Sequence, residues 1–184
     1  IILGQLINTY IMVGELEKAM VMANKLENIS ATQNQIQYIG NALLFQSEIL
    51  TCKELFDLSA EKLTSAIEQF QKINDVKRQA DAWFAQSWLD HHKKDYPEVK
   101  QSLLKSAQLA FNAQDKEREL SALTYLSVLA YKNHQEEDKY LYLKQAENKM
   151  KAYKLPSYHF AIVTYHYAIF AKNIEDKEPH LKQV

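Results

Sequence analysis

Residues 75–89 read DVKRQADAWFAQSWL, and residues 115–129 read DKERELSALTYLSVL. Asp75 matches Asp115, Arg78 matches Arg118, Ala82 matches Ala122, Ser87 matches Ser127 and Leu89 matches Leu129, every pair forty residues apart. Self-similarity at a fixed spacing of this size marks a stacked array, in which each unit buries its apolar face only against its neighbours.

The rest of the chain supports a helical array. Of 184 residues, 47% are hydrophobic and 24% charged, enough apolar material for a sizeable core. Only 3 Gly and 3 Pro punctuate it. Turn-rich β folds need such breakers every 8 to 12 residues or so, so long helices joined by short turns are expected. Ile2, Leu3, Leu6, Ile7 and Tyr10 carry the three-and-four spacing of a helical stripe, and Gly14 stops it before a second helix. The same couplet recurs at 34–55 with 57–73, 77–93 with 97–113 and 117–133 with 137–153, and 157–173 begins another, so nine helices are expected. Pro97 and Pro156 fall where a helix begins, the place where a missing N–H costs least. Short loops force sequential helices to pack antiparallel.

Composition also removes function classes. With 22 Lys+Arg against 23 Asp+Glu, the net charge of −1 supplies no field to hold a phosphate backbone or an anionic membrane. One cysteine, Cys52, permits no disulfide within the chain and suits a reducing, cytoplasmic compartment. No apolar run approaches the roughly 18 residues of a membrane span. The opening IILGQLINTY, without Met and already helical in pattern, reads as the inside of a longer chain. There is no glycine-rich phosphate loop, HExxH or nucleophile elbow, so no catalysis and no cofactor are expected.

These residues resemble the tetratricopeptide repeat (TPR) family. Ala19 in GELEKAM matches its turn and small second-helix residue, with Ala60 and Val99 read as equivalents; Leu3, Leu44, Trp83, Leu123 and Val163 stand at the first-helix anchor. Glu48, Asp90 and Lys139 depart from the pattern. A period near forty also overlaps HEAT and armadillo arrays at ~40 to 47, but the acidic GE turn and the D-x-x-R approach resemble long-helix TPR variants of bacterial regulators. The resemblance implies an all-α, right-handed superhelical solenoid of about four and a half repeats over residues 1–173 (1–33, 34–74, 75–114, 115–154 and 155–173), with 174–184 a tail or the start of a following segment.

It also implies a concave groove lined by the first helices. Lys53, His92, Lys132 and Lys172 then form a basic ladder at offsets of 39, 40 and 40, with Phe45, Trp88 and Tyr131 as apolar pockets beside it, suited to an acidic peptide or protein segment. Each of these cations also ends a helix, where it complements the dipole without any partner. His91 and His92 diverge by about 100° on a helix, and His159 and His166 lie two turns apart, so neither pair suits a metal. Tyr165, Tyr167 and Phe170 lie in a tyrosine-rich end suited to docking or self-association. The expected function is a non-catalytic interaction scaffold within a larger regulator. The alternatives are a homo-oligomerisation module, such as a homodimer, and an effector sensor lodging a small molecule between Trp88, His92 and Tyr131.

Overall fold

The structure, a computed structural model, describes residues 2–154 and Tyr165. It contains α1 (Ile2–Met12), α2 (Leu16–Thr32), α3 (Ile36–Cys52), α4 (Phe56–Lys72), α5 (Val76–His92), α6 (Tyr96–Asn112), α7 (Lys116–Lys132) and α8 (Glu136–Tyr153). The helix expected over 157–173 lies outside the described residues. From α2 onward the helices begin at 16, 36, 56, 76, 96, 116 and 136, so the forty-residue repeat is two equal steps of twenty.

The turns set that step. Gly14, Asn34, Glu54, Asn74, Lys94, Gln114, His134 and Lys154 all have φ between 52° and 78°, one left-handed residue after each helix. The left-handed residue donates back to the last turn, as in Asn74 N–H to Gln71 O (3.1 Å), and the next residue reaches further, as in Asp75 N–H to Phe70 O (2.9 Å). Those two bonds satisfy carbonyls that a helix end otherwise strands. The second of these residues also starts the following helix. Asp75, Asp95 and Asp115 each accept from the backbone N–H three residues on, those of Arg78, Glu98 and Arg118. The recurring D-x-x-R is therefore an N-cap and its partner amide.

The chain divides into two compact units, Ile1–Ala113 and the residues from Gln114 on. In the first, α1–α2, α3–α4 and α5–α6 are antiparallel pairs, with α2 against α3 and α4 against α5. The first helices adjoin one another, α1 to α3 and α3 to α5, whereas the backbones of the second helices α2, α4 and α6 stay apart. One core cluster joins Leu43, Leu44, Leu63, Ala66, Phe70 and Leu89; another joins Ile7, Ala19, Ala23 and Ile49. A Cβ on Gly40 would lie 2.5 Å from the ring of Phe70, which is fully buried, so glycine is what lets α3 and α4 close around that ring. Beside it, Ser59 Oγ donates to Ser47 O (2.9 Å), and its oxygen is also within hydrogen-bond distance of Ser47 Oγ and Thr51 Oγ1.

The twenty-residue step corrects two register assignments. The small second-helix residue equivalent to Ala19 and Val99 is Ser59, wholly buried, while Ala60 is half-buried one position on. The first-helix position of Trp83 and Leu123 falls on Leu43, and Leu44 is its buried neighbour.

The second unit pairs α7 with α8. Lys139 stands at the column of Ala19, Ser59 and Val99 and is 2% exposed, with its ammonium 5.4 Å from the Tyr131 ring and 4.9 Å from the Tyr140 ring. Glu119, also buried, accepts from Tyr153 Oη (2.6 Å) and is bridged by Lys149 Nζ (2.5 Å). Burial pulls the Lys149 pKa down, but the hydrogen bond and charge of Glu119 outweigh it and leave the pKa above 10.5. Burial, then Glu119, raises that of Tyr153 above 10.0.

Three outcomes follow for stability. Gly40→Ala lowers it by about 1–2 kcal/mol, because overpacking outweighs a helix-propensity gain of about 1 kcal/mol; a urea midpoint that stays or rises would contradict the close packing. Lys94→Gly does the opposite and raises stability by roughly 1 kcal/mol, seen as a higher urea midpoint, since a left-handed side chain is strained by about that much. Lys149 and Tyr153 both have raised folded pKa values, so their contribution is complete below the unfolded values and is lost as pH climbs through the folded ones. Melting between about pH 9 and pH 11 should therefore destabilise wild type more than Glu119→Gln, and equal loss in both would remove Glu119 as the cause.

Candidate binding surfaces

The cations of the expected ladder fall out of line. His92 and Lys132 are the last residues of α5 and α7, but the residue equivalent to them in α3 is Cys52; Lys53 is one position beyond, at the C-cap. Its true counterpart is Lys93. Lys53 Nζ bridges Glu17 at the start of α2 (2.5 Å), and Lys93 Nζ lies 3.9 Å from Asp57 at the start of α4. Each lysine thus joins the end of a first helix to the start of the preceding second helix. These are staples between successive pairs, each exposed enough to contribute at most about 1 kcal/mol. A dipole argument alone does not place them, because it specifies no partner.

Phe45 is half-buried and packs in the α1–α3 core, its ring 3.5 Å from where a Gly4 Cβ would stand. Trp88 is different. At 40% exposure it sits on α5 with its ring edge-on to His91 (6.3 Å), and His91 in turn contacts His92 (6.3 Å) and the half-exposed Tyr96 of α6 (6.0 Å). His92 stacks on Phe56 of α4, 6.2 Å away at 27°. The structure therefore brings Trp88 and His92 into one five-ring cluster spanning α4, α5 and α6 in the first unit. Phe56 and Tyr96 were not singled out in the sequence, though each is an aromatic at the first position of its helix.

In the second unit Tyr131 and Lys132 are exposed at the end of α7. Tyr165 is 61% exposed; Tyr167, Phe170, Lys172, His159 and His166 lie outside the described residues. Trp83 is half-buried on α5 and forms part of a cleft wall. Cys52 is exposed; partial burial of the thiol, and then the charge of Glu48, push its pKa up, away from thiolate chemistry. Among the described residues no three of His, Cys, Asp or Glu gather where they could hold a metal ion, and no helix is long and apolar enough to cross a membrane.

No family model and no curated protein matches the chain. Solved structures do. A Podosopora anserina protein assigned as a kinesin light chain, with nearly identical TPR-like repeats, is similar over 98% of this chain and 90% of its own at 12% identity and a TM-score of 0.70; a point variant of it gives 0.71. A signal transduction ATPase with numerous domains and a tetratricopeptide repeat sensor, from Pyrococcus horikoshii, is similar over 99% of this chain but 29% of its own, at 19% identity and a TM-score of 0.71. With eight described helices in antiparallel pairs, and these neighbours over nearly its whole length, the chain has the TPR-like repeat fold.

Proposed function

We propose that the chain is a non-catalytic protein-interaction scaffold, and that the end of α5 in its first unit holds a peptide or protein segment. The observation that carries this is the ring cluster of Trp88, His91, His92, Tyr96 and Phe56, with Trp88 and Tyr96 each 40% exposed. Tryptophan and tyrosine give large contact area at low entropic cost and dominate protein interfaces. His91, His92, Lys93 and Lys94 begin three residues after Trp88, at the end of α5, which favours a segment with an apolar anchor flanked by acidic residues. TPR-like repeats are generally interaction scaffolds, and one neighbour uses such repeats as a sensor within a signalling ATPase. On that likeness the chain serves as the sensory or assembly part of a larger regulatory protein.

A photo-crosslinking residue at position 88, compared with one at position 21 on the exposed side of α2, tests this in cells expressing the full protein. The expected result is a partner captured from position 88 alone, with Trp88→Ala weakening the purified complex by about tenfold or more at unchanged helicity. Capture of a second copy of the chain would replace this reading with homo-oligomerisation; equal capture from both positions would remove it.

A further inference from the structure

A cleft lies between α4 and α6 of the first unit, floored by α5. It has a volume of about 440 Å³ and is lined by Glu68, Trp83, Gln86, Glu98 and Ser102, together with Thr64, Ile67 and Gln71 of α4.

The repeat explains why this cleft is open. Forty residues earlier, Gln46 of α3 reaches across to α2, its Nε2 donating to Asn24 Oδ1 (2.9 Å) and Glu27 Oε2 (2.6 Å). In the next copy those acceptors are replaced by Thr64 and Ile67, and Leu50 becomes Asp90. Gln86 then turns along its own helix and donates to Asp90 Oδ1 (2.7 Å), while Ser102 of α6 donates to Asp90 Oδ2 (2.8 Å). Asp90 is 7% exposed and makes no ion pair among the described residues.

That arrangement polarises the cleft. With its hydroxyl proton committed to Asp90, Ser102 can only accept, and Gln86, with one N–H committed there, keeps its carbonyl oxygen and one further N–H. Glu68 and Glu98 bring two carboxylates, neither in a salt bridge among the described residues, and no lining residue is cationic. Glu98 lies in the first turn of α6, where the helix dipole favours an acid, but Glu68 lies well inside α4 and has no such reason. Trp83 adds an aromatic face.

Acceptors on several sides, an uncompensated buried carboxylate behind them and an indole wall match a flat cation with many N–H donors. We infer that this cleft binds a guanidinium group, carried by an arginine side chain or a small guanidino compound. The inference does not rest on the partner site around Trp88, which is built from different residues.

The test uses ¹⁵N spectra of the protein, following the indole N–H signals of Trp83 and Trp88, assigned with Trp83→Phe. Ethylguanidinium and the capped peptide acetyl-Gly-Arg-Gly-amide are expected to shift the Trp83 signal saturably and leave that of Trp88 in place. The Glu68→Gln/Glu98→Gln double variant, altered only at exposed positions, should keep its helicity and bind at least about tenfold more weakly. Tighter binding of the peptide than of ethylguanidinium would identify an arginine side chain as the source, and equal binding would identify the free group. No movement of Trp83, undiminished binding by the double variant, or equal binding of the matching lysine peptide would overturn the inference.

Discussion

The left-handed residue that follows each described helix is the constraint on which the rest of the structure depends. It turns the chain within three residues, and the residue after it both closes the old helix and starts the new one. Every helix from α2 to α7 is thereby held to the same length, so side chains forty positions apart occupy the same place in successive pairs. The cost is real. Only Gly14 is a glycine, and the Glu, Lys, Gln and His residues at the other turns each accept strain of about 1 kcal/mol. Packing between helices must cover that strain, which is why the columns facing the core are filled so regularly: Ala23, Leu63, Leu103 and Leu143 are each no more than 1% exposed.

The same constraint decides how much could be read from the amino-acid sequence. Helical pairs, their antiparallel order and the forty-residue period were legible, because apolar spacing and the Asp75/Asp115 caps leave direct marks. The equal half-step was not, since turn chemistry is normally announced by glycine or asparagine and Glu54, Lys94, Gln114 and His134 announce nothing. Without that half-step the second repeat slipped by one residue. Ala60 stood in for Ser59, the more apolar of two neighbours, and Leu44 for Leu43, where two adjacent leucines give the pattern nothing to choose between them. The slip also placed Lys53 in line with His92 and Lys132, so a ladder was read where the structure has ion-pair staples at Lys53–Glu17 and Lys93–Asp57. The Trp88 surface was legible as an exposed aromatic, but its extent was not, because Phe56 and Tyr96 reach it from other helices.

Where the columns break, each break is answered locally. Lys139 replaces a small residue at a buried position and lies against two tyrosine rings; Glu119, in the column of Ile39 and Gln79, meets Lys149 and Tyr153 on α8. Buried charge without such answers costs several kcal/mol, so these contacts arise together or not at all. Asp90 is the exception in kind. It replaces Leu50 of the preceding repeat and, among the described residues, its carboxylate is met by two neutral donors, Gln86 and Ser102.

In a repeat scaffold, function is most easily carried by such departures, because whatever every copy shares is already explained by stacking. The first unit departs from its own repeat in two places. At the end of α5, three aromatic substitutions accumulate: Trp88 replaces Glu48, His91 replaces Thr51 and His92 replaces Cys52. Elsewhere on α5, a bridging glutamine loses its partners: Gln46 reaches across to Asn24 and Glu27 of α2, whereas Gln86 bonds to Asp90 on its own helix beside the cleft. Neither change disturbs the turns or the buried columns, so the twenty-residue step is kept while the surface it carries is rewritten. A fold fixed by its turns can therefore take on new recognition at little cost to stability, provided that each new polar group is satisfied where it stands.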